Sequence, residues 1–496
     1  MTIPATLIRF LALCLALLPA VAAPALGQAK HQVRAVWLTT AYGLDWPVQG
    51  AADQRESLRA MLDVLAGTGI NTVMFQCRIR GDVAYDSAIE PRNRLFKAMD
   101  FDPLAFAIDE CHKRGMECHA WMVCIPLGRQ GKVPRQTLAA IDRAGRGLVM
   151  SHKRQLYLDP ARRGTGEYLA SIATELTSRY DIDGLHLDYI RYPDDYRAFP
   201  KAKGMTAAQK AAVRRDNITG VLRTIHAAVK SIKPWVSLSC ATIGKLRSTA
   251  RLDSHGWDAR DCLGQDVQAW LDEGLVDEVY PMMYFKDDNF YPFAADWSEA
   301  AGDASRVIPV LGLYRIEYAD QGWEADEIVR QAHFCRALGL GGIGLYRAET
   351  IVRNTRNIRG LLTSEIFTTT ALPRGGRGRM EGCTVAITRA ETNGRRTQLQ
   401  WEYQGAAGDG VTFTIYASDT WPVDTADPAN IIEAGVRATG YTYDYTYDSG
   451  RRAHFAVTAT DRLGNESAPA MTPQPPATRL GVLLPSQALD ATPVTR

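Results

Sequence analysis

Between residues 32 and 367, apolar strand-like runs alternate with helical patterns, and that order restricts the architecture more than any other feature of the chain. The runs are QVRAVWLTT (32–40), INTVMFQCRI (70–79), MECHAWMVC (116–124), IDGLHLDYI (182–190), WVSLSCATIG (235–244), DEVYPMMYF (277–285), RVIPVLGLYR (306–315) and LGGIGLYRAE (340–349). They are apolar almost throughout, as strands buried on both faces of a parallel sheet must be. Amphipathic stretches fill the intervals. RESLRAMLDVLAGTG stops on Gly67 and Gly69, and DPLAFAIDECHKRG opens with Asp102 as a cap and Pro103 in its first turn. EYLASIATELTSRY precedes the fourth run and EADEIVRQAHFCRALG the eighth. A strand–helix unit repeated eight times predicts an α/β chain with a closed (β/α)8 TIM barrel over 30–367. The alternative is an open doubly wound sheet. It normally carries a Gly-rich phosphate turn after its first strand, and TTAYGLDWP lacks one.

The flanking segments differ in texture. In residues 1–29, Arg9 precedes the apolar FLALCLALLPAVA and then small residues, which reads as a cleaved secretory signal peptide of bacterial style. The mature chain is then secreted or periplasmic and holds no integral membrane segment. From 368 the segment TTTALPRGGRGRMEG is a linker, taken as 368–380. The alternating runs RRTQLQWEYQ, VTFTIYAS, YTYDYTYD and HFAVTATD predict a small all-β sandwich over 381–475. Its ending FAVTATDRLGNESAP resembles the last strands of fibronectin type III domains, and 476–496 reads as a disordered tail. The eight cysteines outside the leader show no C-x-x-C pair and no zinc spacing. A formal charge of +2 provides no field that would recruit nucleic acid.

Alternate residues of a barrel strand point inward, with packing at the bottom and chemistry at the carboxyl end. One parity collects Gln76 and Arg78, His119 and Trp121, His186 and Asp188, Ser237 and Ser239, and Tyr280 and Tyr284. Aromatic faces stack on sugar rings, while carboxylates, Arg and His bond hydroxyls, so this set suits a sugar. Asp188, last in the fourth run, is the first catalytic candidate, with His186 one layer deeper. Arg191 and Tyr192 follow, to position substrate or to cap the loop. A glycosidase needs a second carboxylate. Strand ends offer Asp287 first and then Glu349, followed by Glu317 and Asp82. Gln76, Arg78, His119, Trp121, His186, Arg191, Tyr284 and Tyr346 are the substrate-binding candidates. No cofactor is expected. A metal site would have to use His119, His186 and Asp188, without the usual three-ligand set.

RAVWLTT, GINTVMFQCRIRGDVAYDS, FDPLAFAIDECHKRGMECHAWM, LYLDP, DGLHLDYIRYP, VYPMMYF and GLYRAE together resemble the glycosyl-hydrolase-like 10 family of bacterial exported proteins, in order over about 32–350. The resemblance implies a (β/α)8 barrel that hydrolyses glycans, peptidoglycan strands among them, and a C-terminal fibronectin-like module. DGLHLDYIRYP is also similar to the DGxDxDxE strand of family 18 chitinases, and YPMMYF to their M-x-Y-D strand. Here His186 replaces one Asp, and Ile190 or Arg191 stands where the chitinase acid would be. The expectation is an exported glycoside hydrolase of a polysaccharide or cell-wall glycan centred on Asp188. The alternative is a barrel that binds glycan without cleaving it.

Overall fold

The computed structural model describes residues 28–249, 257–318, 320, 322–376, 378–405, 410–445 and 452–474. The expected signal peptide and tail fall almost wholly outside these residues. Among the described residues, no helix is long and apolar enough to cross a membrane, and the eight cysteines from Cys77 to Cys383 are free thiols.

Eight parallel strands close into a barrel: β1 (Val33–Leu38), β2 (Thr72–Arg78), β3 (Glu117–Val123), β4 (Gly184–Asp188), β5 (Ser237–Ile243), β6 (Glu278–Met283), β7 (Val310–Leu311) and β8 (Gly342–Leu345). Each pairs with its sequence neighbours, and β8 returns to β1 through Val33 opposite Gly342. All eight expected strands form. The seventh is cut to two residues because Pro309 has no N–H for the ladder and the chain turns into a helical turn at Leu313.

A helix follows each strand: α1 (Gln54–Gly67), α2 (Pro103–His112), α3 (Arg163–Arg179), α4 (Ala207–Ile232), α5 (Val267–Asp272), α6 (Tyr291–Ala300), α7 (Ala325–Ala337) and α8 (Ala348–Val352). Their starts are capped from the sequence. The Asp53 carboxylate accepts from the N–H groups of Arg55 and Glu56, and Asp102 from those of Leu104 and Ala105, ahead of Pro103. Thr206 and Gln209 cap α4 reciprocally. Outward residues such as Val36, Phe75, Cys118, Leu185 and Leu238 meet the helices in one large core.

The two long connections are built rather than loose. After β3, strands Pro126–Arg129, Val149–His152 and Gln155–Leu158 form a small antiparallel sheet beside helix Arg135–Ala144. After β2, the chain is tied to α3: Glu175 accepts from Tyr85, Ser87 and the Ala88 N–H. Glu90 is held by Tyr168 at 2.8 Å and by two guanidinium nitrogens of Arg78 at 2.7 Å.

The described residues within 384–471 form a three-stranded and a four-stranded antiparallel sheet, packed on Leu399, Trp401, Phe413, Ile415, Phe455 and Val457. This all-β unit docks on the amino-terminal side of the barrel. Arg462 bonds Asp181 at 2.6 Å, and Lys30 pairs with Glu466. The stretch read as a linker lies against the barrel: Leu372 exchanges backbone hydrogen bonds with Lys30 and Gln32, and Arg374 meets Glu117 at 3.0 Å.

The Arg78–Glu90 pair is 0% and 1% exposed. Removing one member leaves a buried charge uncompensated, so Arg78→Ala should destabilise the fold by about 3–5 kcal/mol. Urea unfolding followed by circular dichroism measures this. A loss below about 1 kcal/mol, the range of exposed pairs, would show that the pair does not anchor the connection.

Candidate active site

The barrel interior is filled in layers from its amino-terminal end. His119 Nε2 lies 2.8 Å from Glu117, which also takes Arg374. The imidazole fits only because residue 184 is glycine; a Cβ there would stand 2.4 Å from His119 Nδ1. Above it, Trp37, His186 and Tyr280 meet edge to face, with ring centroids 5.2, 5.3 and 5.6 Å apart. His186 Nδ1 lies 2.9 Å from Ser239 Oγ. Burial, helped by His119, lowers its pKa to about 3, so the ring is neutral.

Asp188 closes β4 above this plug. Its Oδ2 accepts from the Trp121 indole N–H at 3.0 Å and its Oδ1 from the Tyr189 backbone N–H at 2.7 Å. Tyr189 adopts a left-handed φ of +50° in doing so. That conformation is uncommon for a bulky residue and persists only where the surroundings enforce it. Asp188 is 6% exposed. Burial raises its carboxyl above the ordinary range; Arg191, the two N–H donors and Arg80 oppose this without cancelling it.

Three half-buried tyrosines stand beside it. Tyr284, just beyond β6, stacks on Tyr346, just beyond β8, at 5.5 Å, and Tyr314 meets both edge-on at 5.7 Å. Both Tyr284 and Tyr346 feel the Asp188 charge. Burial pushes Tyr284 well up and Tyr346 to about 12, so both keep their protons and can donate.

Of the residues chosen from sequence, Trp121, Asp188, Arg191, Tyr284 and Tyr346 gather at the carboxyl end. Gln76 adjoins them, but its Oε1 accepts from the N–H groups of Thr40 and Ala41 and so pins the connection after β1. Arg78, expected in the cavity, is not there. A β-bulge shifts the β2–β3 register between Gln76 and Arg78, setting Arg78 opposite the outward Met122, where Glu90 holds it. His119 points inward but lies in the amino-terminal layer, and His186 belongs to the aromatic plug. His119 and His186 face different partners, and among the described residues no three His, Cys, Asp or Glu groups cluster to hold a metal ion.

The acids divide in the same way. Glu349 opens α8 and is bound by Arg347 and Arg353. Arg347 also holds Asp45 at 2.7 Å and lies 3.6 Å from Glu317. Glu349 is thus a structural ion pair at a helix start rather than a free second carboxylate. Asp287 is exposed at the start of a helical turn after β6, at φ +54°, and has no ion pair among the described residues. Sequence patterning does not point to Tyr189, Tyr314 or Arg347, although they stand in DGLHLDYIRYP, RVIPVLGLYR and GLYRAE.

A (β/α)8 barrel whose fourth strand delivers a buried carboxylate to an aromatic mouth has the form of a glycoside-hydrolase-like protein. The chain belongs to the glycosyl hydrolase-like 10 family, whose model matches residues 32–315. It is 26% identical over 379 residues to glycosyl hydrolase YngK of Bacillus subtilis, covering 70% of this chain and 74% of that protein. It is 28% identical over 293 residues to glycosyl hydrolase DigH of Escherichia coli, covering 52% of this chain and 66% of that protein, just under two thirds of its length. Among solved structures, the PgaB (BpsB) glycoside hydrolase domain from Bordetella bronchiseptica aligns at 14% identity and a TM-score of 0.48, over 68% of this chain and 99% of that one.

The raised carboxyl of Asp188 links stability to pH. A group that binds its proton more tightly when folded adds stability below the unfolded pKa of about 3.9 and loses it as pH rises through the folded value. Asp188→Asn lacks this loss. Its stability relative to the unsubstituted protein should therefore improve from pH 4 to pH 7. Urea titrations at the two values test this; a constant or opposite difference would mean that burial does not dominate at Asp188.

Proposed function

We propose that this protein is an exported glycoside hydrolase that cleaves cell-wall glycan strands, with peptidoglycan strands as the first candidate. The observation that carries this reading is Asp188, presented with a raised pKa and without an ion pair among the described residues, beside the tyrosines 284, 314 and 346. A carboxyl whose hold on its proton is strengthened by burial suits donation to the leaving glycosidic oxygen. Trp121 and the Tyr189 N–H hold the group in place. The tyrosine rings offer stacking faces to a sugar, and their hydroxyls offer donors. Asp287, exposed after β6 and without an ion pair among the described residues, is taken as the second carboxylate of this reading. Export rests on the leader FLALCLALLPAVA. The family and its named relatives support hydrolysis of a glycan as the reaction class.

The second reading, a barrel that binds glycan without cleaving it, draws on Glu317 and Glu349 being committed to Arg347. Denuded peptidoglycan strands incubated with the purified protein separate the two. New reducing ends are expected from the unsubstituted protein, and Asp188→Asn should release them about 100- to 10,000-fold more slowly, the usual loss of an acid–base group. Tight binding with no reducing ends would favour the second reading, and undiminished turnover by Asp188→Asn would remove Asp188 from the chemistry.

A further inference from the structure

Beside Asp188, the carboxyl ends of β2, β3 and β4 enclose a separate hollow of about 240 Å³. Its polar lining comes from Arg80, Gln155, Tyr157, Tyr189, Arg191 and Asp194. That volume is below the ~300–1,000 Å³ of drug-sized sites and is on the scale of one sugar ring or its substituent. Arg191 is 5% exposed; its Nη1 bonds Asp194 and its guanidinium lies 4.4 Å from the Tyr189 ring centroid. Its Nε has no partner among the described residues. Arg80 is exposed at the rim, and among the described residues its guanidinium makes no ion pair. At Tyr157, the charges of Arg80, Arg191 and Lys153 oppose that of Asp194, while Lys153 is itself paired with Asp195 at 2.8 Å. Arg191 is answered by Asp194, and Arg80 is the guanidinium of this lining that no carboxylate pairs among the described residues.

We propose that this hollow is an anion subsite that takes the carboxylate of a sugar bound next to the ring at Asp188. The inference deepens the glycosidase reading and rests on it for the placement of that neighbouring ring. The substrate class is an acidic glycan, a strand whose rings carry carboxylate substituents, rather than a neutral polymer of the same backbone. A planar guanidinium matches a carboxylate in two hydrogen bonds, and the Tyr157 and Tyr189 rings offer apolar faces alongside. Asp194 keeps Arg191 oriented, and Arg80, uncommitted at the rim, meets the incoming anion.

The test compares denuded peptidoglycan strands, which carry free lactyl carboxylates, with the same strands methyl-esterified. Binding to the full chain is measured at low salt in the Asp188→Asn background, with and without Arg80→Gln. Free-acid strands should bind about tenfold more tightly than esters, the ratio expected of one charge-assisted contact, and Arg80→Gln should reduce that preference to about twofold or less. Equal affinity for acid and ester, a preference that survives Arg80→Gln, or binding of neither strand would overturn the proposal. Cleavage by the unsubstituted protein is scored separately. A preference for the acid with no reducing ends from either strand keeps the subsite and removes the hydrolase. Equal binding and equal cleavage of both strands does the reverse.

Discussion

The edge-to-face contact of Trp37, His186 and Tyr280 at the centre of the barrel sets the terms for everything above it. An eight-stranded barrel is only wide enough to be filled by its own side chains, and large residues need small ones opposite. Here glycines give the room. A Cβ on Gly344 would stand 2.4 Å from the Trp37 ring, and Gly184 opens the space that His119 occupies below. The centre is thus filled by rings and by a neutral imidazole. Polar chemistry is left to residues one step further along each strand. Asp188 is that residue on β4, and it rests against the plug through Trp121. Its raised pKa follows from burial at this position, which outweighs the opposing pull of Arg191, the two N–H donors and Arg80.

The arginines near the mouth divide by what they bind. Arg78 is spent outside the barrel on Glu90, fixing the long connection after β2 to α3. Arg347 gathers Asp45, Glu317 and Glu349 and so ties together the connections after β1, β7 and β8. These buried or half-buried pairs hold loops in register, and their carboxylates are poor reagents because each is already answered by a cation. Asp188 differs in being held by N–H groups from Trp121 and Tyr189, which orient a carboxyl without fixing it in an ion pair. The partner type that each strand end provides therefore separates the ion-paired acids from the one held by N–H groups.

Most of the barrel was legible because two periodicities suffice for it: near-continuous apolar strands and amphipathic helices with side-chain caps such as Asp102. Strand parity also brought Trp121, His186, Asp188 and Tyr284 to the inner face, since period two survives wherever the ladder is regular. It failed at Arg78 because the bulge after Gln76 adds one residue and reverses the face, and nothing local in FQCRI announces a bulge. It also carried no depth. His119 has the inward parity of the site but belongs to the bottom layer, because depth depends on the stagger between strands. In the sandwich, Thr384–Asn393 went unread since only Val385 and Ile387 alternate before six exposed residues, although Asn393-Gly394 is a hairpin-turn signal with Gly394 at φ +61°. Glu349 shows the converse limit: its place after β8 is that of a catalytic acid, and only the presence of Arg347 and Arg353 reveals otherwise.

The docking of the all-β unit has an electrostatic basis at the opposite end of the same barrel. Glu117 and Glu278 open β3 and β6 facing inward, and burial alone would oppose their charge. Arg374, from the segment between the domains, answers both, and its charge with the His119 contact holds Glu117 down at about 2. Asp183, just before β4, is shared by His112 at 2.8 Å and by Arg462 of the sandwich. The cations that neutralise this end of the barrel thus come in part from beyond residue 368. A barrel cut at 367 would keep its apolar core yet expose Glu117, Glu278 and Asp183 without Arg374 and Arg462. The two units are joined through the barrel's own charge balance, at the end opposite the mouth at Asp188 and on the far side of the aromatic plug.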